Sequence, residues 1–386
     1  MQLVAYGAQD IYLTGNPQIT FFKVVYRRHT NFSMEAIEQT LNGAYAVSSR
    51  QTCTISRNGD LLGRLYMECL VAANTDYTLA NPGYTQFDNI VVEIGGQQID
   101  KQTGNWMANW AELSESNPTG LTVATDAAIA NGTWTRFQKM ALAGGVTDNG
   151  AMNAAGTHLV PLPFWFCRNP GLALPLIALQ YHEVKLNITY SSAARTGTFN
   201  QPKLYADYIY LDTDERRRFA QVSHEYLIEQ VQFTGDESVS SVSNKIKLNF
   251  NHPCKELVWV VQRDASGVEK FDYTDASGVN PVLIAKLQLN GHDRFSERMG
   301  RYFNLVQPYQ HHTNVPKTGI NVYSFGLKPE EHQPSGTCNM SRIDNATLQL
   351  TLTSETVGAD AKVRVYATNY NVLRIMSGMG GLAYSN

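Results

Sequence analysis

The sequence has few charged residues and no long apolar run. Charged side chains make up 17% of the 386 residues, against roughly 25% in typical globular domains. The net charge of −3 gives no general attraction to nucleic acid. The longest apolar stretch, residues 172–179, contains Pro175 and is far shorter than the ~20 residues that span a bilayer. The sequence therefore predicts a globular protein without specific nucleic-acid binding.

Cysteines are few and widely spaced. The five are Cys53, Cys69, Cys167, Cys254 and Cys338. An odd count without any CxxC pair favours reduced thiols in an intracellular folding environment over a disulfide scaffold or a zinc site. Because the amino-terminal residues reach Asp10 after only a short apolar stretch, we expect no secretory signal peptide.

Enzyme signatures are also missing. The chain has no dinucleotide-binding GxGxxG between a strand and a helix, no phosphate-binding GxxxxGK[ST], no HExxH and no GxSxG. We therefore predict no catalytic residues, no cofactor, no cofactor-binding residues and no metal ligands, and a protein that is not an enzyme.

Three short segments carry residue types that active or binding sites also use. His311 and His312 are adjacent and do not share a face, so a metal site there needs distant ligands. Residues 212–215 carry three carboxylates but precede three arginines, which favours internal charge pairing over calcium. Residues 378–381, Gly-Met-Gly-Gly, follow the last predicted strand and indicate a flexible tail rather than a phosphate loop.

Strict alternation of apolar and polar residues is the dominant pattern in the sequence. The clearest cases are residues 184–190, 245–250 and 347–352. Such a period of two is typical of strands with one buried and one solvated face. Turn signals such as Asn58-Gly59 and Asn290-Gly291 separate them, and short helices are expected at residues 104–113 and 299–306. The pattern predicts an all-β fold of two packed antiparallel sandwiches, favouring jelly rolls.

The chain also repeats itself in the same order. Four pairs of short segments match: residues 36–39 with 227–230, 94–97 with 289–292, 185–189 with 347–351, and 205–206 with 366–367. The separations are 191, 195, 162 and 161 residues. Two stable separations indicate a tandem duplication with about 33 extra residues in the first copy. A duplicated β-unit favours a scaffold over an enzyme.

The repeat divides the chain into three parts. We predict an N-terminal arm at residues 1–25, a first jelly roll at 26–213 and a second at 214–386. The arm has no counterpart in the second copy, yet it carries apolar side chains: Leu3, Val4, Tyr6, Ile11, Tyr12, Leu13, Phe21 and Phe22. We expect these to be buried against something outside their own sandwich. An insertion at about 114–158 is rich in Ala and Gly and is expected to be a surface excursion.

Longer segments carry a family resemblance. Residues 2–10 (QLVAYGAQD), 12–17 (YLTGNP), 93–97 (EIGGQ), 170–184 (PGLALPLIALQYHEV) and 371–378 (NVLRIMSG) closely resemble major capsid proteins of nucleocytoplasmic large DNA viruses, algal phycodnaviruses in particular. The resemblance covers nearly the whole chain. It implies a double jelly roll, two eight-stranded sandwiches in tandem, forming homotrimers whose pseudo-hexagonal capsomers tile an icosahedral shell.

The resemblance also implies partners and a location. The expected partners are the chain itself, neighbouring capsomers, minor capsid and penton proteins, and the internal membrane side through the N-terminal arm. The expected location is the virion capsid, after assembly in the host cell cytoplasm.

Three alternative functions stand beside this expectation. One is a capsid paralogue at a special position of the virion. A second is a carbohydrate-binding attachment protein, for which an exposed aromatic cluster including Trp134 is expected, whereas Trp165 and Trp259 lie in apolar runs typical of a core. A third is a jelly-roll hydrolase, which needs paired inward carboxylates. The strand interiors offer only the scattered Glu93, Glu183 and Asp207.

Overall fold

The structure is a computed structural model of the chain. It describes residues 7–71, 81–115, 135–143, 156–192, 200–263, 271–357 and 361–385. Leu3, Val4, Tyr6, Trp134 and most of the predicted insertion lie outside the described residues.

The first half of the chain forms two antiparallel sheets. Its strands are β1 (Phe32–Gln39), β2 (Arg50–Thr54), β3 (Leu61–Val71), β4 (Phe87–Ile94), β5 (Gln97–Thr103), β6 (Gly156–Pro161), β7 (Leu174–Pro175), β8 (Val184–Tyr190) and β9 (Lys203–Leu211). One sheet has the order β1-β9-β3-β6, with β7 paired to β3, and the other has the order β2-β8-β4-β5. The helices are α1 (Ile11–Thr14), α2 (Pro82–Thr85), α3 (Gly104–Ser114), α4 (Arg136–Ala141) and α5 (Trp165–Arg168), with a 3₁₀ turn at Pro170–Leu172.

The second half repeats this arrangement after helix α6 (Thr213–Gln221). Its strands are β10 (His224–Val239), β11 (Ser243–Leu248), β12 (Pro253–Arg263), β13 (Val282–Leu289), β14 (His292–Asp293), β15 (Arg298–Met299), β16 (Asn321–Ser324), β17 (Cys338–Asn339), β18 (Ala346–Leu352), β19 (Ala361–Met376) and β20 (Met379–Leu382). A π-helical turn (Tyr302–Val306) leads into α7 (Gln307–His311); a 3₁₀ turn (Met340–Arg342) and α8 (Ser354–Val357) complete the elements.

The two halves share one sheet topology. The second half has the orders β10-β19-β12-β16 and β11-β18-β13-β14, which match the first half strand for strand. Eight strands therefore lie on the main paths of each half, and β7, β15, β17 and β20 pair at the margins. The predicted all-β fold of two tandem eight-stranded antiparallel jelly rolls is confirmed, and helices lie at both predicted positions.

Strand register supports three of the matched segments but corrects the fourth. Glu38 lies opposite Tyr205 on β9, whereas Glu229, its match in the second half, lies opposite Tyr370 on β19. The counterpart of Tyr205 is then Tyr370 and not Tyr366. Residues four apart on a strand share one face, so a match of only two residues did not distinguish these tyrosines.

The apolar interior has two main parts. Trp259, Phe303 and Leu348 belong to the core between the sheets of the second jelly roll. The core of the first jelly roll contains Trp165 and extends across to the outer face of sheet β10-β19-β12-β16, where Val260 joins it. The two jelly rolls are thus joined by apolar packing, and the predicted burial of Trp165 and Trp259 is confirmed.

Part of the predicted surface excursion belongs to the core. Thr135 and Gln138 form a capping box at the start of α4, and the residues that follow, Ala141, Leu142 and Ala143, are at most 1% exposed. The Leu142 carbonyl accepts the Gly83 N–H at 3.1 Å. The expectation of a wholly superficial segment at 114–158 is therefore wrong for residues 135–143, because α4 packs its apolar side against the first jelly roll.

The glycine-rich segment near the carboxyl end is ordered. Residues 379–382 form β20, which pairs with β19 as a hairpin. Gly378 turns the chain at φ 80°, and a Cβ there would lie 2.6 Å from the Tyr181 ring. The Tyr181 N–H donates to the Gly378 carbonyl at 3.0 Å. The predicted flexible tail is wrong because this hairpin packs against the first jelly roll.

Candidate assembly surfaces

A buried carboxylate of the second jelly roll receives a cation from the first. Glu229 on β10 lies 3.0 Å from Arg168 Nη1, at the end of α5. Lys255 Nζ and His332 Nδ1 each lie 3.1 Å from Glu229 Oε1. Burial would raise the pKa of Glu229, but Arg168, His332 and Lys255 outweigh it and lower the pKa to about 2. We call these four residues the Glu229 cluster; it fixes one jelly roll against the other.

The residues next to Glu229 bind strand β5 of the first jelly roll. Gln230 Nε2 donates to the Ile99 carbonyl, and the Val231 N–H donates to Asp100 Oδ1 at 3.1 Å. Burial raises the pKa of Asp100 to about 6, although the hydrogen bonds from Val231 and Gln102 oppose this change. The edge of β10 is therefore held by directional bonds as well as by apolar contact.

Helix α3 lies between the two jelly rolls. Its residues from Gly104 to Leu113 are all buried. The Trp106 ring centroid lies 5.4 Å from that of Tyr366 on β19, and Glu112 Oε1 lies 3.3 Å from Lys317 Nζ. The Thr103 side chain accepts the Trp106 N–H and so starts the helix. The first jelly roll thus covers the outer face of the second through α3 and α5.

The His311-His312 pair is structural. His312 Nε2 lies 2.8 Å from Glu256 Oε2, and its Nδ1 lies 2.8 Å from Glu330 Oε1. Burial would lower the pKa of His312, but the two carboxylates raise it to about 9. His311 contacts the Leu327 carbonyl instead. Across the described residues, no group of three or more His, Cys, Asp or Glu side chains is placed to hold a metal ion.

The acidic residues 212–215 start a helix. Asp212 accepts the Thr213 N–H as the cap of α6. Among the arginines that follow, Arg216 pairs with Asp60 at 3.0 Å rather than with its neighbours in sequence. The charge pairing expected here therefore exists but uses a different carboxylate, Asp60.

The equivalent outer face in the first jelly roll carries exposed side chains in the described part of the chain. We call it the β1 face: Met34, Ala36 and Glu38 on β1, with Tyr205 on β9 and Tyr66 on β3. Met34 is 54% exposed, and the Glu38 side chain is 50% exposed in its pair with Lys203. Tyr66 and Tyr205 stack with ring centroids 5.4 Å apart.

The apolar arm leads directly into the β1 face. Its described large apolar side chains are all strongly exposed: Ile11, Tyr12, Leu13, Ile19, Phe21, Phe22, Val24 and Val25. Phe22 reaches 98% exposure. Contiguous apolar surface of this kind marks an interaction site in a soluble protein.

The counterpart of α3 in the second jelly roll exposes apolar side chains, as the β1 face does. Residues 302–311 follow the second β-hairpin as α3 follows the first. Unlike α3, this segment leaves apolar side chains in solvent: Leu305 is 37% exposed and Tyr309 is 79% exposed. The adjacent Met299 is 73% exposed. We call residues 299–309 the helix face.

The described part of the chain has no exposed tryptophan. Trp106, Trp110, Trp165 and Trp259 are each at most 4% exposed, and Trp134 lies outside the described residues. No sequence motif marks Arg168, Glu229 or His332 as partners. The signal available is a glutamate that recurs at the same place of a repeated strand segment, Glu38 and Glu229.

Comparisons with known proteins agree with this architecture. A family model for the major capsid protein N-terminus matches residues 20–212, and one for the large eukaryotic DNA virus major capsid protein matches residues 215–381. The chain belongs to the major capsid proteins of large eukaryotic DNA viruses. It is 55% identical to the major capsid protein of Pyramimonas orientalis virus, over 100% of this chain and 99% of that one.

Further relatives extend the agreement to solved structures. The major capsid protein of Paramecium bursaria Chlorella virus 1 is 44% identical, over 100% of this chain and 99% of that one. A quasi-atomic model of the PBCV-1 virus capsid superimposes with a TM-score of 0.75 at 39% identity, covering 95% of this chain and 100% of that chain. The Faustovirus major capsid protein, at 12% identity and a TM-score of 0.70, shares the fold.

Family membership makes this chain a viral structural protein. It is a capsid protein of the virion, which assembles with other capsid subunits. Within the described ranges, every helix is too short or too polar to cross a bilayer.

Proposed function

We propose that three copies of this capsid protein form a pseudo-hexagonal capsomer without catalytic activity, and that capsomers tile an icosahedral shell. The observation that carries the proposal is a mismatch between two equivalent faces. The outer sheet face of the second jelly roll is covered by the first jelly roll of the same chain. The β1 face, its equivalent in the first jelly roll, is left exposed at Met34 and Glu38.

Residue equivalence makes the mismatch specific. Glu229 is buried and paired with Arg168 from the other jelly roll. Glu38, its counterpart on β1, lies opposite Tyr205 but remains half exposed. In a closed ring of similar lobes, each lobe covers the next. Around such a ring, the contact between the two jelly rolls of one chain alternates with a similar contact between neighbouring chains.

Two lobes per chain and three chains give a ring of six. Cyclic symmetry closes such a ring and leaves no uncovered face. The surface that covers the β1 face in this arrangement is the helix face of the next subunit, the counterpart of α3. Leu305 and Tyr309 supply apolar surface for Met34 and Ala36. A permanent interface of this kind commonly buries more than ~2,000 Å².

Sedimentation tests the proposal. The wild-type protein is expected to sediment as a species of about three times the 43.0 kDa chain mass. Replacing Met34 and Ala36 by Asp places two charges in the interface and should shift the protein to folded monomers. Lys245→Glu, on an exposed position of β11, is the matched control and should remain trimeric. A stable wild-type monomer at micromolar concentration would overturn the proposal.

The arm is proposed to serve assembly beyond the trimer. Exposed apolar residues such as Phe21 and Phe22 precede the β1 face and lie free of the sandwich in the single chain. We assign them to contacts with neighbouring capsomers, minor capsid and penton proteins, or the internal membrane side. Assembly in the host cytoplasm fits the cysteine pattern, since all five thiols are free in the structure.

A further inference from the structure

Two of the free cysteines lie directly opposite each other on neighbouring strands. Cys254 on β12 and Cys338 on β17 are register partners in an antiparallel pair. The bond from the Met340 N–H to the His252 carbonyl, 3.0 Å long, continues this ladder. All five cysteines are among the described residues, and no other two are paired across strands in the described register.

The register places the two thiols on one face. Directly opposite residues of an antiparallel pair have Cα atoms about 4.5–5.5 Å apart, which falls within the range that disulfides span. Their Cβ atoms are roughly 4.5–5.5 Å apart, so closure to the mean disulfide separation of about 3.8 Å needs an approach of about 1–2 Å. Strand β17 has only two residues, so a small shift of this strand toward β12 disturbs little of the sheet.

We propose that Cys254 and Cys338 are a redox pair that closes to a disulfide when the capsid protein meets a small-molecule disulfide oxidant of the glutathione type. Cys338 is partly exposed and is the point of entry, whereas Cys254 is buried. The thiols stay reduced during intracellular folding and close in a more oxidising medium.

The reaction is a double thiol–disulfide exchange. The Cys338 thiolate attacks one sulfur of oxidised glutathione, forms a mixed disulfide and releases one glutathione thiolate. The Cys254 thiolate then attacks the Cys338 sulfur and releases the second glutathione. The two protons lost by the cysteines end on the two released thiols, so the cysteines are oxidised by two electrons and the oxidant is reduced by two.

The surroundings make this closure slow. Burial raises the pKa of Cys254 well above its ordinary value, and the charges of Glu256 and Cys338 raise it further. Burial also raises the pKa of Cys338. Because the thiolate is the attacking species, closure should accelerate as pH rises.

The disulfide would anchor a loop that reaches the interface between the jelly rolls. Residues 325–337 connect β16 to β17 and carry Glu330, which pairs with His312, and His332, which pairs with Glu229. In the reduced protein, β17 holds the end of this loop through two paired residues. A disulfide between Cys254 and Cys338 would add a covalent bond between β12 and β17 to this short strand pairing.

Peptide mapping tests the inference on the full-length protein. After incubation with oxidised glutathione at pH 8.5, non-reducing digestion should yield a cross-linked pair of peptides containing Cys254 and Cys338. Cys338→Ser should abolish it, and Cys254→Ala should leave a glutathione adduct on Cys338. Cys53→Ala, another fully buried cysteine, is the control and should leave the cross-link intact.

A second readout measures the consequence. The oxidised protein should unfold at a temperature roughly 5–10 °C higher than the reduced protein, and dithiothreitol should reverse the difference. Cys338→Ser should show no such difference. Free thiols at both positions after oxidation of the folded wild type, or cross-links to other cysteines, would overturn the inference. These readouts do not depend on oligomeric state, so they remain separable from the trimer proposal.

Discussion

Arg168 of the first jelly roll and Glu229 of the second form an ion pair with 3.0 Å between Nη1 and Oε2. The Glu229 side chain is only 4% exposed, and its remaining partners, Lys255 and His332, come from its own jelly roll. Arg168 is therefore the one member of the Glu229 cluster that the other jelly roll supplies. A chain with two similar lobes needs such a contact to fix their relative orientation.

Removing Arg168 should weaken the joint between the jelly rolls. Arg168→Ala leaves a buried carboxylate with less compensation and removes the guanidinium that lies over Trp110. We expect a loss of about 3 kcal/mol in the free energy of unfolding, measured by urea denaturation. Arg374→Ala breaks a similarly short pair, with Glu225, whose two side chains are more than half exposed, and should cost less than about 1 kcal/mol. Equal losses in the two variants would contradict the special role of Arg168.

Stability should fall on the acid side as Glu229 is protonated. Its pKa in the folded protein is about 2, below the ordinary 4.5, so its contribution is fully present above pH 4.5 and is lost as pH falls through 2. Thermal unfolding between pH 5 and pH 2 should show a declining midpoint. Glu229→Gln should have a lower unfolding midpoint at pH 5, and its midpoint should decline less between pH 5 and pH 2. A decline as large as that of the wild type would contradict the role of Glu229.

His312 should produce a second loss on the alkaline side. Its pKa of about 9 in the folded protein lies above the ordinary 6.5, so its contribution is complete below pH 6.5 and disappears as pH rises through 9. Above that pH, Glu256 and Glu330 face an uncharged imidazole. His312→Gln should lower the midpoint at pH 6 and remove most of the alkaline slope. His292→Gln, at an exposed position, is the control and should keep the slope.

The fold was largely predictable from the sequence because its signals are local. The alternation at residues 184–190 and 347–352 corresponds to β8 and β18, and each strand buries one side of its pattern. The Glu229 cluster was not predictable in this way. Arg168, Glu229 and His332 are separated by 61 and 103 residues and meet only after the two jelly rolls dock. Only the unusual position of a glutamate in a repeated strand segment pointed to it.

Deleting residues 1–16 should separate folding from assembly. The described apolar residues of this segment, Ile11, Tyr12 and Leu13, are all more than half exposed and belong to neither core. The truncated protein should keep the wild-type unfolding temperature within about 1 °C, since none of the described apolar side chains that it loses is buried. It should fail to form shells under conditions in which the full-length protein assembles. Normal shell formation would show that the arm is dispensable.

The fate of residues 135–143 shows why composition misled the prediction of a surface excursion. Ala and Gly around this segment dilute its pattern, but a capping box at Thr135 and Gln138 starts a helix whose end is buried. Leu142→Ala removes a side chain that is 1% exposed and should lower the free energy of unfolding by about 3 kcal/mol. Met140→Ala changes a side chain that is 40% exposed on the same helix, and we expect its cost to stay below about 1 kcal/mol. Denaturant titration of both variants measures the difference. A Leu142 variant as stable as the Met140 variant would show that this segment does not contribute to the core.

Replacing residues 117–153 by a short Gly-Ser bridge also removes α4 and the buried Leu142. This replacement should therefore abolish soluble folded protein rather than spare the first jelly roll.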